Sequence, residues 1–363
     1  MTPTRIDFFL PGPTWVREDV LEAMTGPMMG HRSAGFKELY ASLVPRLQQV
    51  FRTQGDVLIA TGSATLVMES AIVSTVASDV LNLTCGAFSE RWHTICRNLG
   101  KNADRIEVPW GRALDPELLR QALRRKQYEA VTMAHSETST GVLNPIQELA
   151  EVIREESDAL VLVDTVSSLA GVPVEIDKWG LDVVLASTQK AMAVPPGLTL
   201  FSLSERAADQ ATGITHRGFY TDFLRYRDNH RKSSTVTTPA VSVFYALDRQ
   251  LDVILEEGME TRWERHAALQ AMTAKWGDAQ GFGYASQEGF RSPTVSCLRP
   301  PAGVQPADLV TGLAECGVVV GGGYGVWKSE TFRIGHMGEV RGRDLEQLFT
   351  TISAIMDARK GRG

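Results

Sequence analysis

At 363 residues the chain is long enough to bury a large core, and two domains, or one large domain with a smaller appendage, are expected. Apolar residues make up 43% and charged residues 22%, the balance of a globular chain rather than a disordered or fibrous one. A formal net charge of -6 argues against a nucleic-acid or anionic-membrane partner, and no apolar run reaches the roughly 18 residues that a membrane helix needs.

The chain opens without a basic stretch followed by an apolar one, so no secretory signal is expected. Over roughly the first 250 residues, short β-branched runs alternate with helical stretches, the rhythm of an α/β fold with a mostly parallel sheet covered by helices on both faces. Asp56 to Ala60 reads as a strand, followed by Thr61-Gly62-Ser63-Ala64-Thr65 and a helix through Met68 to Val76. Val80 to Thr84 is the next strand, leading into a helix from about Phe88 to Leu99, and Ala130 to Ala134 is the third. Leu160-Val161-Leu162-Val163-Asp164 is apolar until its last residue, as befits a strand buried on both faces. Leu181 to Ser187 and Leu198 to Leu203 follow with about ten residues between them, too few for a helical crossover, so an antiparallel hairpin is expected, with Pro195-Pro196-Gly197 in its turn. A long charged helix, Glu256 to Trp276, leads out into a small α+β region containing Val295 to Leu298 and Val318 to Val320. The expected divisions are residues 1–15 as an N-terminal segment, 16–254 as the large domain and 255–363 as the small one.

Cys85, Cys96, Cys297 and Cys316 contain no C-x-x-C pair, so neither a zinc site nor a disulfide framework is expected, and scattered thiols suit a reducing cytosol. The chain's last residues, Lys360 to Gly363, are no peroxisomal address, and a cytoplasmic location is expected.

In an open α/β sheet, ligands sit beyond the carboxyl ends of the strands. Asp164 lies at one such end, where a carboxylate can pair with the protonated nitrogen of a flat cofactor and keep the ring an electron sink. Lys190 follows another strand end by three residues; an amine there can form a Schiff base and shuttle a proton. Alone, Asp164 reads more readily as a helix cap or turn residue and Lys190 as a solvated surface residue. Their occurrence 26 residues apart in adjacent strand–loop units favours the chemical reading. Gly62-Ser63-Ala64-Thr65, between strand and helix, offers amides and hydroxyls to a phosphate, although capping alone explains many such turns. Phe88 is placed to stack on a flat ring, or else is a core aromatic. The run His135 to Val142 is rich in polar groups at a strand end, and Gln189 can donate to a phosphate or a ring substituent. Arg333, flanked by Phe332 and Ile334, is a cation that must find an anion: a substrate carboxylate or a core acid.

Ser187-Thr188-Gln189-Lys190 followed by Pro195-Pro196-Gly197 resembles the Schiff-base segment of class V aminotransferases that depend on pyridoxal 5'-phosphate. The likeness is to the alanine–glyoxylate and serine–glyoxylate (serine–pyruvate) branch. It runs from Phe9-Leu10-Pro11-Gly12-Pro13-Thr14 through Gly30-His31-Arg32-Ser33, His135 to Pro145 and Val163 to Leu169 to the Arg333 segment, nearly the whole chain. The resemblance implies fold type I and a homodimer with active sites at the subunit interface. It implies Lys190 as the Schiff-base lysine and Asp164 as partner of the pyridine nitrogen. Phe88 takes the ring-stacking place, where relatives often have Trp. Ser63, Ala64, Thr65 and Gln189 surround the phosphate, with Thr238 of the partner subunit reaching it. Ser139 lies near the ring, Arg333 grips the substrate carboxylate, and the segment with Gly12 lines the substrate pocket. The reaction implied is ping-pong transfer of an amino group from alanine or serine to glyoxylate or pyruvate.

Two positions depart from the family pattern. Ala64 stands where Gly is usual, which preserves the amide if φ stays negative, and Thr235 falls where relatives often place a phosphate-binding Tyr. His216 to Tyr220 matches nothing assignable. A cysteine desulfurase or lyase is the rival enzyme reading, but that group usually has His before the lysine and a catalytic Cys in a mobile loop, whereas Gln189 precedes Lys190 here. A non-catalytic scaffold subunit is the rival outside catalysis, and retention of Lys190, Asp164 and Arg333 together speaks against it.

Overall fold

The computed structural model describes residues 7–360. A seven-stranded sheet has the order Asp56–Thr61, Leu198–Leu203, Val183–Ser187, Leu160–Asp164, Ala130–Ala134, Asp79–Thr84, Asn102–Glu107. Every neighbouring pair is parallel except those made by Leu198–Leu203, which is antiparallel to both of its neighbours. The expected hairpin is present, with Thr199 opposite Ser187. Because only one strand runs backward, the carboxyl ends of the other six open at one edge of the sheet.

Leu160–Asp164 is buried along its whole length. Side chains alternate across a strand, so Val161 and Val163 enter one hydrophobic cluster with Met133 and Val184, while Leu160 and Leu162 enter the opposite cluster with Val183 and Phe201. Helices Ala64–Thr75, Ala87–Asn98, Pro116–Arg125 and Ile146–Glu156 connect the strands and cover those faces. The first of them begins at Ala64, four residues earlier than the apolar pattern suggests, so its amino end meets the strand end directly.

Two features differ from expectation. Asn102–Glu107 is a strand that hydrophobic patterning does not reveal: it lies at the sheet edge, is largely exposed, and carries Asp104 and Arg105 in ion pairs with Lys126 and Glu90. Charged edges of this kind resist pairing with another chain. The long helix expected over Glu256 to Trp276 is instead two helices, Val241–Glu257 and Met259–Ala279. Gly258 separates them with φ +81°, a backbone that ends a helix and that few residues other than glycine adopt.

A second sheet has the order Phe8–Phe9, Val319–Gly322, Phe332–Gly335, Val295–Arg299, Gly283–Tyr284. Its core unites Phe9, Leu269, Leu298, Leu309, Phe332, Leu345 and Ile352. The amino-terminal strand thus belongs to the carboxyl-terminal sheet, and from it the chain crosses to the lysine loop: Thr14 N donates to Gln189 O and its hydroxyl to Lys190 O, both at 3.0 Å. Arg262, wholly buried, braces the same loop by donating to Ala191 O at 2.8 Å while pairing with Glu257 and Glu339. Among the described residues no helix is long and apolar enough to cross a membrane.

Candidate active site

The strand ends and the amino-terminal crossing enclose a cavity of about 340 Å³ whose lining includes Gly12, Ser63, Ala64, Thr65, Phe88, Asp164, Gln189 and Lys190. Eight residues singled out in the sequence therefore meet in one space. A Cβ on Gly12 would lie 2.4 Å from Lys190 Nζ, so a side chain here would displace the lysine, and its φ of +110° favours glycine as well. The Lys190 ammonium donates to the carbonyl of Pro11.

Lys190 and Asp164 perturb one another within the cavity. Burial is the main influence on Lys190, aided by the Arg333 charge, and brings the amine down to about 8; Asp164 opposes the fall. Burial likewise pushes the Asp164 carboxyl up to about 6, against the Val166 amide bonded to it at 2.7 Å and the opposing attraction of Lys190. For both groups burial is the largest influence, outweighing the Val166 amide on Asp164 and the Asp164 charge on Lys190. A base and an acid so placed can exchange protons with a bound ligand near physiological pH.

At the opposite end, Gly62 has φ +149° and lets the chain turn from the strand into helix Ala64–Thr75. Ala64 is the first residue of that helix and is not among the residues with positive φ, so its amide points off the helix start as a glycine's would. The Ser63 hydroxyl caps no backbone amide. Gln189 Oε1 accepts from Ser187 Oγ at 2.6 Å, which leaves the amide nitrogen as the donor toward the cavity. Arg91, absent from the sequence-based set, also lines the cavity; its guanidinium lies 5.0 Å over the Phe88 ring and Nη1 is 3.4 Å from the Thr65 hydroxyl. Its place three residues after Phe88, on the same helix face, was the available signal.

Arg333 is 9% exposed, and burial pulls its pKa down. It donates to Gly322 O at 2.9 Å and to Thr138 O at 3.3 Å, and among the described residues it joins no ion pair. Tyr324 links it to Phe88: the Tyr324 ring stacks on Phe88 with centroids 5.4 Å apart and lies 5.3 Å beneath the Arg333 guanidinium. No local sequence pattern marks Tyr324, because both partners are distant in the chain.

Arg333 is not itself part of the cavity lining, and three further positions also stand apart from it. Ser139 is fully buried, and its hydroxyl donates to Glu137 Oε1 at 2.6 Å and accepts from Ala87 N at 3.0 Å, so it braces the Phe88 helix instead of facing the cavity. Thr238 is exposed, just before helix Val241–Glu257. Thr235 uses its hydroxyl locally, donating to Thr237 O at 2.8 Å. Cys297 is buried within strand Val295–Arg299 and burial raises its thiol pKa, while Cys316 sits at a helix end; neither is the loop thiolate that a desulfurase needs.

A model of the class V aminotransferase family matches residues 59–341. An uncharacterized aminotransferase of Methanocaldococcus jannaschii is 38% identical over 335 residues, which is 91% of this chain and 87% of that protein. A protein of Synechococcus sp. named soluble hydrogenase, small subunit, is 34% identical and covers 96% of this chain and 92% of its own. The crystal structure of an alanine–glyoxylate aminotransferase from Nostoc sp. superimposes with a TM-score of 0.91 at 28% identity, over 98% of this chain and 96% of that one. The chain belongs to the class V aminotransferases, enzymes that work with pyridoxal 5'-phosphate.

Proposed function

We propose that the chain transfers an amino group from a small amino acid, alanine or serine, to glyoxylate or pyruvate in two half-reactions of ping-pong order. One observation carries the assignment of roles: Lys190 and Asp164, each perturbed by burial, line the same cavity as Phe88 and the uncommitted donors of Ser63, Thr65 and Gln189. That donor set fits a phosphorylated pyridine. The helix start at Ala64 and Thr65 would hold the phosphate, Phe88 would face the ring, Asp164 would pair with the ring nitrogen, and Lys190 Nζ would be the covalent anchor. When bound, the group supplies an electron sink for charge that develops at the substrate Cα.

The protein's own residues do the rest. Asp164 keeps its charge toward the ring nitrogen. Lys190, whose amine gives up its proton near pH 8, would be freed when the substrate amine takes its place and could then accept the Cα proton and deliver it to the cofactor carbon two bonds away. Arg333, a buried cation with carbonyl partners only, receives the substrate carboxylate and so aims the Cα–H bond at Lys190. A cavity near the lower end of the usual ligand range, already shared with a ring, favours a small substrate side chain. Likeness to the Nostoc alanine–glyoxylate enzyme supports the same class of donor and acceptor. In this reading Thr238 of the partner subunit completes the phosphate site in a homodimer, which suits the exposure of that residue here.

The test is a single-turnover screen of the holoenzyme with alanine, serine, pyridoxamine and ureidoglycine, following loss of the visible cofactor band. Bleaching by alanine or serine and recovery with glyoxylate or pyruvate is expected. A holoenzyme bleached by neither amino acid, yet active with another donor, would refute the assignment of substrates.

A further inference from the structure

The helix that carries Phe88 begins at Ala87 behind Gly86, a residue with no side chain to cap it. Helix amino ends are ordinarily capped by a Ser, Thr, Asn or Asp immediately before them. Here the cap comes from another part of the chain. Glu137 is completely buried, and its carboxylate accepts five hydrogen bonds: Phe88 N at 3.2 Å, Ser89 N at 2.8 Å, Ser89 Oγ at 2.9 Å, Ser139 N at 3.2 Å and Ser139 Oγ at 2.6 Å. All five donors are neutral. A buried carboxylate without a cation among its partners is costly unless fully hydrogen-bonded, and this one is.

Gly86 is required for space rather than for backbone freedom. Its φ of 169° is extended, but a Cβ there would fall 2.5 Å from Glu137 Cγ and 2.6 Å from Cδ. The residue next to Glu137 reaches the other side of the site, since the carbonyl of Thr138 accepts from Arg333 Nη1 at 3.3 Å. One short turn, 137–139, therefore fixes both the aromatic face at the cavity and the guanidinium beside it.

We infer that Glu137 is a positioning residue: its buried carboxylate sets the place of the Phe88 ring against which the cofactor lies. The inference rests on the role proposed above for Phe88, and the experiment separates the two. Glu137→Gln keeps the volume but turns an amide nitrogen toward N–H donors that it cannot satisfy. Gly86→Ala leaves the charge in place and displaces the carboxylate through the added methyl.

Apoprotein of each variant is titrated with pyridoxal 5'-phosphate, and the visible circular dichroism of the bound cofactor is recorded, since that signal depends on how the ring is held. Both variants are expected to lose at least half of the wild-type signal and to bind the cofactor about tenfold more weakly, the scale of one well-stacked aromatic contact. Phe88→Ala, as reference, is expected to do the same. Wild-type dichroism and affinity in both Glu137→Gln and Gly86→Ala, with loss in Phe88→Ala, overturn the positioning role alone. An unaltered Phe88→Ala overturns the stacking role and the inference with it. Should Glu137→Gln fail to fold, Gly86→Ala decides the matter by the same two readouts.

Discussion

Replacing Lys190 by Met should abolish turnover and, at the same time, make the apoprotein more stable near neutral pH. The amine falls from 10.5 to about 8, mainly through burial and then the Arg333 charge, so carrying its proton costs the folded protein about 3 kcal/mol at pH 7. Methionine occupies a similar volume without that charge. It loses the bond to the Pro11 carbonyl, which offsets about 1 kcal/mol, so a net gain of about 2 kcal/mol is expected. The pH dependence follows from the direction of the perturbation. Between about pH 8 and 10.5 the unfolded chain keeps the Lys190 proton while the folded one has released it, so wild-type stability rises with pH across that window. By pH 9.5 the wild-type penalty has shrunk to about 1 kcal/mol and the advantage of methionine should vanish. Urea unfolding of both apoproteins at pH 7 and pH 9.5 measures this directly. A variant no more stable than wild type at pH 7, or a gain of the same size at both values, would refute the argument that burial of the amine governs its behaviour.

Arg333→Ala should raise KM for every carboxylate substrate by about 100-fold, as loss of a buried charged hydrogen-bonding partner predicts, with the cofactor spectrum unchanged; unaltered KM for all of them would remove Arg333 from substrate binding. Asp164 is pushed up to about 6, so in wild-type apoprotein it becomes neutral below that value and affinity for pyridoxal phosphate should fall as pH drops from 7 to 5. Asp164→Asn should bind more weakly at pH 7 and lose that dependence, and its turnover should drop by about 100-fold; a wild-type profile in cofactor titrations of the variant would contradict the pairing.

Much of the fold is written locally. The run Leu160 to Asp164 announces a doubly buried strand with one polar end because every residue before Asp164 must avoid water on both faces. The reversal at Leu198–Leu203 follows from chain length alone, since ten residues cannot carry a helix across the sheet. The edge strand Asn102–Glu107 escapes such reading because its side chains face solvent, leaving no apolar alternation to detect. The break at Gly258 is likewise hidden in a pattern that stays helical on both sides of one glycine.

The site divides in the same way. Lys190, Asp164, Gln189 and the Gly62–Thr65 turn are legible because each follows a strand whose end must reach the ligand edge of the sheet. Ser139 looks like a ligand-facing hydroxyl in sequence, and only its bonds to Glu137 and Ala87 turn it inward. Arg91 is marked only by its i, i+3 spacing from Phe88, while Tyr324 and Glu137 acquire their meaning from the Phe88 helix far along the chain.

What the amino-acid order by itself determined is which residues end strands, and hence which chemistry arrives at one edge, because hydrophobic periodicity and turn composition act over a few residues at a time. Tertiary structure alone decided how dry that edge is and what braces it. Desolvation and hydrogen bonding depend on the atoms that close around a group, and those come from segments whose proximity no local pattern encodes.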